Sequence, residues 1–232
     1  MPAKPHAPRT YTIPKPGGGT RLMAELTPRD ALVWRRLAAE AGPLIEPRLG
    51  PEVLGNRWDP GSARLRPFRP ALSAARAAAH RLVMEAGAVL RTDVQGCYGS
   101  IRPDALRASL ERARVERGVA RAAARSVEAW TGFGVPGLPV GPEPSALFAN
   151  AVLAPVDATL RTARIRFLRW VDDYLLAPGR RDHRDVLDVL DGALAGVGLQ
   201  RNRAKTAPQA ANAIWPGGAY ARSTEEARTM QA

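Results

Sequence analysis

The stretch Arg169-Trp170-Val171-Asp172-Asp173-Tyr174-Leu175-Leu176 sets two adjacent carboxylates inside an otherwise apolar run. Ile165–Val171 and Tyr174–Ala177 read as strands, because β-branched, aromatic and leucine side chains dominate them. Asp172-Asp173 then reads as the tight turn of a hairpin, where aspartate is at home. Two neighbouring carboxylates repel each other, so a purely structural turn and a charge-binding site are both open on this stretch alone. A second stretch, Val89-Leu90-Arg91-Thr92-Asp93-Val94, brings another aspartate to the end of an apolar strand spanning Ala88 to Val94. Aspartate is a poor strand residue and costly to bury unpaired. Two such strands side by side would gather all three carboxylates into one cluster. Hard divalent ions prefer carboxylate and phosphate oxygens, and a pair of them is a known device for in-line phosphoryl displacement.

Outward from these strands the chain is mixed. Thr27-Pro28-Arg29-Asp30 is a capping box that opens a helix running to about Gly42. Further helices are predicted over Ala71–Glu85 with Gly87 as stop, from Pro103, over Ala120–Trp130, over Ser145–Arg161 with a kink at Pro155, and over Arg184–Val197 ended by Gly198. A last strand is predicted over Leu199–Thr206. Helices and strands do not alternate strictly, so the expected class is α+β.

The 232 residues carry a net charge of +12 and a pI near 11.1, the balance of a protein that meets a polyanion such as nucleic acid. An Arg-biased composition with no acidic partner gives the same charge. Arginine outnumbers lysine 31 to 3, and the three lysines are Lys4, Lys15 and Lys205. Hydrophobic residues make up 45%, which excludes a disordered chain. No apolar run reaches the ~18 residues of a membrane span, and the N-terminus has no apolar signal core, so a cytoplasmic protein is expected. Cys97 is the lone cysteine and His6, His80 and His183 are scattered, so neither a disulfide nor a zinc pattern is present.

Six stretches in order resemble the motifs of reverse transcriptases, most of all the bacterial ones related to group II introns, retrons and phage-defence enzymes. They are YTIPKPGGGTRLMAEL from Tyr11, VLGNRW from Val53, RTDVQGCYGSI from Arg91, GLPVGPEPSALFAN from Gly137, RWVDDYLL from Arg169 and GLQRNRAKT from Gly198. The resemblance runs from Tyr11 to Tyr220. Lys15 and Lys205 both fall on it.

The resemblance implies a right-hand polymerase: a fingers-like region over residues 1–70, and an antiparallel palm sheet backed by helices over 71–220. A frayed tail over 221–232 would follow, with the thumb missing, minimal or supplied by a partner chain. It implies DNA synthesis from dNTPs on an RNA or DNA template-primer, with Mg²⁺ or Mn²⁺. Asp93 and Asp172 would be the main metal ligands, Asp173 the third carboxylate and the Val94 carbonyl an added ligand. Lys15 and Arg21 would neutralise the triphosphate, and Lys205 would face the leaving pyrophosphate. Tyr98 falls on the steric-gate position, and Asn150 on one that orients the nucleotide's surroundings. An ordinary core aromatic and a locally bonded helix polar residue are the plainer readings of these last two. Val140 stands where the family often has Gln, Trp170 where it has Tyr, and Gly99 where bulkier or acidic residues are frequent. An untemplated or protein-primed nucleotidyltransferase, and a catalytically quiet nucleic-acid-binding subunit, are the alternatives.

Overall fold

The structure, a computed structural model, describes residues 4–15, 18–209, 213, 215 and 216. The predicted tail over 221–232 lies outside the described residues. The chain opens with an antiparallel hairpin, β1 (Arg9–Pro14) and β2 (Thr20–Glu25). Helix α1 (Pro28–Ile45) follows, its first turn capped by Thr27 Oγ1, which accepts from the Asp30 amide at 3.3 Å. The helix does not stop at Gly42 as predicted. A Cβ at Gly42 would lie 2.4 Å from the Trp58 ring, so this glycine makes room for packing rather than ending the helix. A short ribbon, β3 (Trp58–Asp59) with β4 (Arg64–Leu65), leads into α2 (Phe68–Ala86). Gly87, at φ 71°, caps α2 as expected.

Next come β5 (Leu90–Asp93), the short α3 (Cys97–Ser100), α4 (Pro103–Arg112), α5 (Arg117–Gly132) and α6 (Glu143–Thr162). Helix α5 starts earlier than predicted because the Glu116 side chain caps it, accepting from the Gly118 and Val119 amides at 2.8 and 3.2 Å. The chain ends its described part with β6 (Arg166–Trp170), β7 (Asp173–Ala177), α7 (His183–Ala195) and β8 (Ala207–Pro208). The strand predicted over Leu199–Thr206 is instead a single bridge from Arg201 to Val94 and a 3-10 turn over Arg203–Lys205. Side-chain bonds from Arg201 and Thr206 fold this segment onto its neighbours in place of a ladder.

The four-stranded sheet runs β6-β7-β5-β8, all pairs antiparallel. Strand β7 is buried along its whole length. Alternate side chains serve opposite faces. Tyr174 and Leu176 join the larger core built by α1 and α4–α7, and Leu175 and Ala177 join a smaller one against Leu72, Ala75, Ala79 and Leu82 of α2. Helix α6 runs through the larger core. Trp34 ties α1 to it, its ring tilted against Phe148 at 4.4 Å and its indole donating to Ser145 Oγ at 3.1 Å, and it meets Trp130 of α5 edge-on at 5.1 Å. The fold is therefore α+β with helices on both faces of an antiparallel sheet. Among the described residues no helix is long and apolar enough to cross a membrane.

Candidate active site

The β6–β7 hairpin turns one residue earlier than predicted. Trp170 pairs with Asp173, so Val171 and Asp172 form the two-residue turn and Asp173 is the first residue of β7. On its other side Asp173 is the register partner of Asp93 at the end of β5. Opposed residues of antiparallel strands have Cβ atoms about 4.5–5.5 Å apart, so the two carboxylates share one end of one sheet face. Asp172 is tied to the same end, its carbonyl accepting from the Val94 amide at 3.1 Å.

Asp93 is 8% exposed and Asp173 3%. Each gives one oxygen to a cation. Lys205 Nζ lies 2.7 Å from Asp93 Oδ2, and Arg91 Nη2 lies 3.5 Å from Asp173 Oδ1. The other two oxygens, Asp93 Oδ1 and Asp173 Oδ2, are buried without a hydrogen-bond partner. Burial, with Asp172 and Asp93 nearby, pushes the Asp173 carboxyl up to about 7, against the pull of Arg91 and Lys205. A buried carboxylate oxygen with no donor is costly. Among the described residues no three His, Cys, Asp or Glu side chains are already arranged to hold a metal ion. The two unpartnered oxygens could serve in such a donor set, since carboxylate oxygen suits a divalent cation of the magnesium type.

The 199–206 segment is clamped beside this end of the sheet. Asn202 donates its amide to the Asp93 carbonyl at 2.8 Å, and Gln95 donates to the Gln200 carbonyl at 2.8 Å. Thr206 Oγ1 meets Thr92 Oγ1 at 2.8 Å and accepts from Arg201 Nη1 at 2.7 Å, while Arg201 grips Asp191 of α7 in a fork at 2.7 and 2.8 Å. This clamp aims Lys205, and the sequence reading missed it. So did it miss Arg91, whose only signal was a charge two positions from Asp93.

Tyr98, on α3, is half-buried against the core. Burial pushes its phenol up, as do Cys97 and Asp172, while the Arg21 guanidinium pulls the other way. The ring thus sits within the fields of Asp172 and of Arg21 on β2. That hairpin is held by the Ala24 amide, which donates to the Val140 carbonyl at 2.8 Å. Lys15 stands exposed at the end of β1, its backbone closing the turn with Gly18 and Gly19.

Asn150 lies among the buried residues of α6. It is 1% exposed, and its amide is fully engaged inside the protein. Nδ2 donates to the Gly55 and Asn56 carbonyls at 3.1 and 2.9 Å, and Oδ1 accepts from Arg169 Nη1 at 2.7 Å. It braces the internal loop at Gly55 and Asn56. The structure brings together Asp93, Val94, Asp172, Asp173 and Lys205, with Tyr98 and Arg21 beside them.

No protein-family model matches the sequence, and no curated protein matches it. Solved structures do. Telomerase from Candida albicans, in complex with a TWJ fragment of telomeric RNA, matches 92% of the chain at 13% identity and a TM-score of 0.55. Telomerase from Candida tropicalis with the same kind of RNA fragment matches 90% at 12% identity and 0.56. The apo Candida tropicalis enzyme truncated from its C-terminal domain matches 90% at 12% identity and 0.55. The chain spans 41 to 51% of the length of these telomerase chains. Telomerases are reverse transcriptases, and the likeness at this identity is one of fold: the chain has a reverse-transcriptase-like fold.

Proposed function

We propose that the protein is a nucleotidyltransferase of the reverse-transcriptase type, adding dNTPs to a primer on an RNA or DNA template. The observation that carries this reading is the facing pair of buried, unpartnered oxygens, Asp93 Oδ1 and Asp173 Oδ2, in a chain of net charge +12. Retaining repelling carboxylates there is costly unless a cation joins them. In this reading residues 1–70 act as fingers and 71–220 as palm. The motif order supports the bacterial type and, with it, a role in phage defence.

Asp93 and Asp172 would hold the divalent cations, with Asp173 as third carboxylate and the Val94 carbonyl as an added ligand. Bound Mg²⁺, or Mn²⁺ in its place, supplies the positive charge that activates a primer 3′-hydroxyl and steadies the departing oxygen. The chain's own side chains do the rest. Lys15 and Arg21 neutralise the β- and γ-phosphates, for which a guanidinium fork is well shaped. Lys205 leaves Asp93 for the pyrophosphate as its charge develops, donating a charge-assisted hydrogen bond. Tyr98 packs beneath the sugar and leaves no space for a 2′-hydroxyl.

The test is dNTP incorporation on defined template-primers with Mg²⁺ or Mn²⁺. Asp93→Ala and Asp172→Ala should each abolish it while the far-ultraviolet circular dichroism stays native. Incorporation that persists in either variant overturns the reading. Nucleic-acid binding that survives in both variants, with an inactive wild type, would instead favour the quiet binding subunit.

A further inference from the structure

The turn that carries Asp172 is built from the wrong residues for its shape. A two-residue hairpin turn favours Asn or Gly where φ is positive. Here Val171, β-branched, sits at φ 59°. Such a residue in the left-handed region is an outlier that persists only where its surroundings impose it.

The imposing group is Arg169. It is fully buried, as is Asp157 of α6. Arg169 Nε and Nη2 grip the Asp157 carboxylate at 2.9 and 2.6 Å, and Tyr174 adds its hydroxyl to the same carboxylate at 3.1 Å. This fixes the guanidinium in space. Its remaining nitrogen, Nη1, donates to two oxygens, Asn150 Oδ1 and the Val171 carbonyl, each at 2.7 Å. The second of these bonds holds the Val171–Asp172 peptide and so sets the direction in which Asp172 leaves the turn. The Arg169 backbone is pinned as well, donating to the Glu52 carbonyl at 2.8 Å and accepting from the Leu54 amide at 2.9 Å. From there Gly55 passes so close that a Cβ on it would lie 3.0 Å from the Val171 amide nitrogen. Asn150 closes the ring by holding the Gly55 and Asn56 carbonyls.

A buried ion pair is a poor means of adding stability, since desolvation offsets most of its attraction and apolar replacements often do as well. Its best use is to specify one geometry. We infer that Arg169, held by Asp157, is a positioning residue that locks Val171 in its left-handed conformation and thereby aims the Asp172 carboxylate. This rests on the reading of Asp172 as a metal-binding carboxylate. Asn150 and Tyr174 keep the guanidinium in register.

The test replaces the charged set by apolar residues of similar size in the triple variant Arg169→Met/Asp157→Leu/Tyr174→Phe. Arg169→Lys serves as the milder companion if the triple variant does not fold. Two readouts are taken: kcat and KM for dNTP incorporation, and Mn²⁺ affinity measured by water-proton relaxation. The fold, followed by circular dichroism and thermal unfolding, should hold. A misplacement of about 1 Å costs on the order of a hundredfold, so kcat should fall by roughly that factor. KM should stay within about threefold, and Mn²⁺ should bind about tenfold more weakly. Adding Val171→Gly, which takes the positive φ without help, should restore about tenfold in kcat and most of the Mn²⁺ affinity. A folded variant with wild-type Mn²⁺ affinity and kcat overturns the inference. So does a loss that Val171→Gly leaves untouched, since the network would then act elsewhere. If wild type incorporates no dNTP, the catalytic reading fails and the Mn²⁺ arm alone decides the positioning role. A wild type that binds no Mn²⁺ overturns both.

Discussion

Lys205 Nζ rests 2.7 Å from Asp93 Oδ2, so a lysine ammonium holds one oxygen of a carboxylate whose other oxygen is buried and unpartnered. Asp93 is mostly buried, whereas the Lys205 side chain is 68% exposed, so the lysine approaches from the solvent side. The same carboxylate cannot give full charge to both an ammonium and a divalent ion.

Removing the ammonium should therefore separate binding from turnover. In Lys205→Ala the nucleotide-free protein should bind Mn²⁺ more tightly, by no more than about fivefold, because a largely exposed ion pair is weak. Incorporation should nevertheless fall by about ten- to a hundredfold, since the leaving pyrophosphate loses its donor. Titration of Mn²⁺ with each protein, beside single-turnover kinetics, checks both parts. Weaker Mn²⁺ binding in the variant would remove the competition from the account.

Asp173 gives a pH signature. Its folded-state pKa near 7 stands above the ordinary 3.8, from burial first and then from Asp172 and Asp93, with Arg91 and Lys205 opposing. Below about pH 4 folded and unfolded chains both hold the proton and the group is neutral to stability. From there to pH 7 the folded chain keeps a proton that the unfolded chain has lost, so stability falls as pH rises. Above pH 7 the loss is complete. At 1.36 kcal/mol per pKa unit it amounts to about 4 kcal/mol in order of magnitude. Asp173→Asn should thus match wild type in denaturant unfolding near pH 4 and exceed it by a few kcal/mol above pH 7. Saturating Mg²⁺ should narrow that gap, because a cation competes with the proton. A gap independent of pH would sink the assignment of the buried charge.

The sequence made the two aspartate-bearing strands legible because carboxylates inside apolar runs need a reason. Most helices were legible too, from Thr27-Pro28, Pro103 and the glycine stop at Gly87, whereas α7 ends at Ala195 with Gly196 as its cap and not at the expected Gly198. The turn register was not. Asp172-Asp173 is a better turn pair than Val171-Asp172 on local preference alone, and the buried Arg169 overrides that preference through a bond to the Val171 carbonyl. The Leu199–Thr206 segment was misread for a similar reason. Its apolar start suggests a strand, whereas the Arg201–Asp191 fork and the Thr206–Thr92 bond draw it into a turn. The partners of Asn150, the Gly55 and Asn56 carbonyls and Arg169, were not legible because they are remote in sequence. Asp157 on the apolar face of α6 and Arg169 in an apolar strand were the one available clue, since two charges in such places imply each other.

Tyr98 is where packing and selectivity can be told apart. Its carbonyl accepts from the Leu138 amide at 2.8 Å, which anchors the backbone of α3 whatever the side chain does. The ring itself is half-buried, within the fields of Asp172 and Arg21, and not sealed in the core. If the sugar of an incoming nucleotide lies over it, a 2′-hydroxyl is refused by overlap. Overpacking of that kind costs roughly 1–3 kcal/mol, about ten- to a hundredfold in selectivity. Tyr98→Ala should raise kcat/KM for GTP relative to dGTP by that factor and leave Mn²⁺ affinity as in wild type. A ring that only fills the core predicts something else: lower thermal stability, with both activities falling together and their ratio unchanged. Tyr98→Phe separates the ring from its hydroxyl. It should keep the wild-type ratio, because the refusal is steric and the phenol's proton takes no part in it.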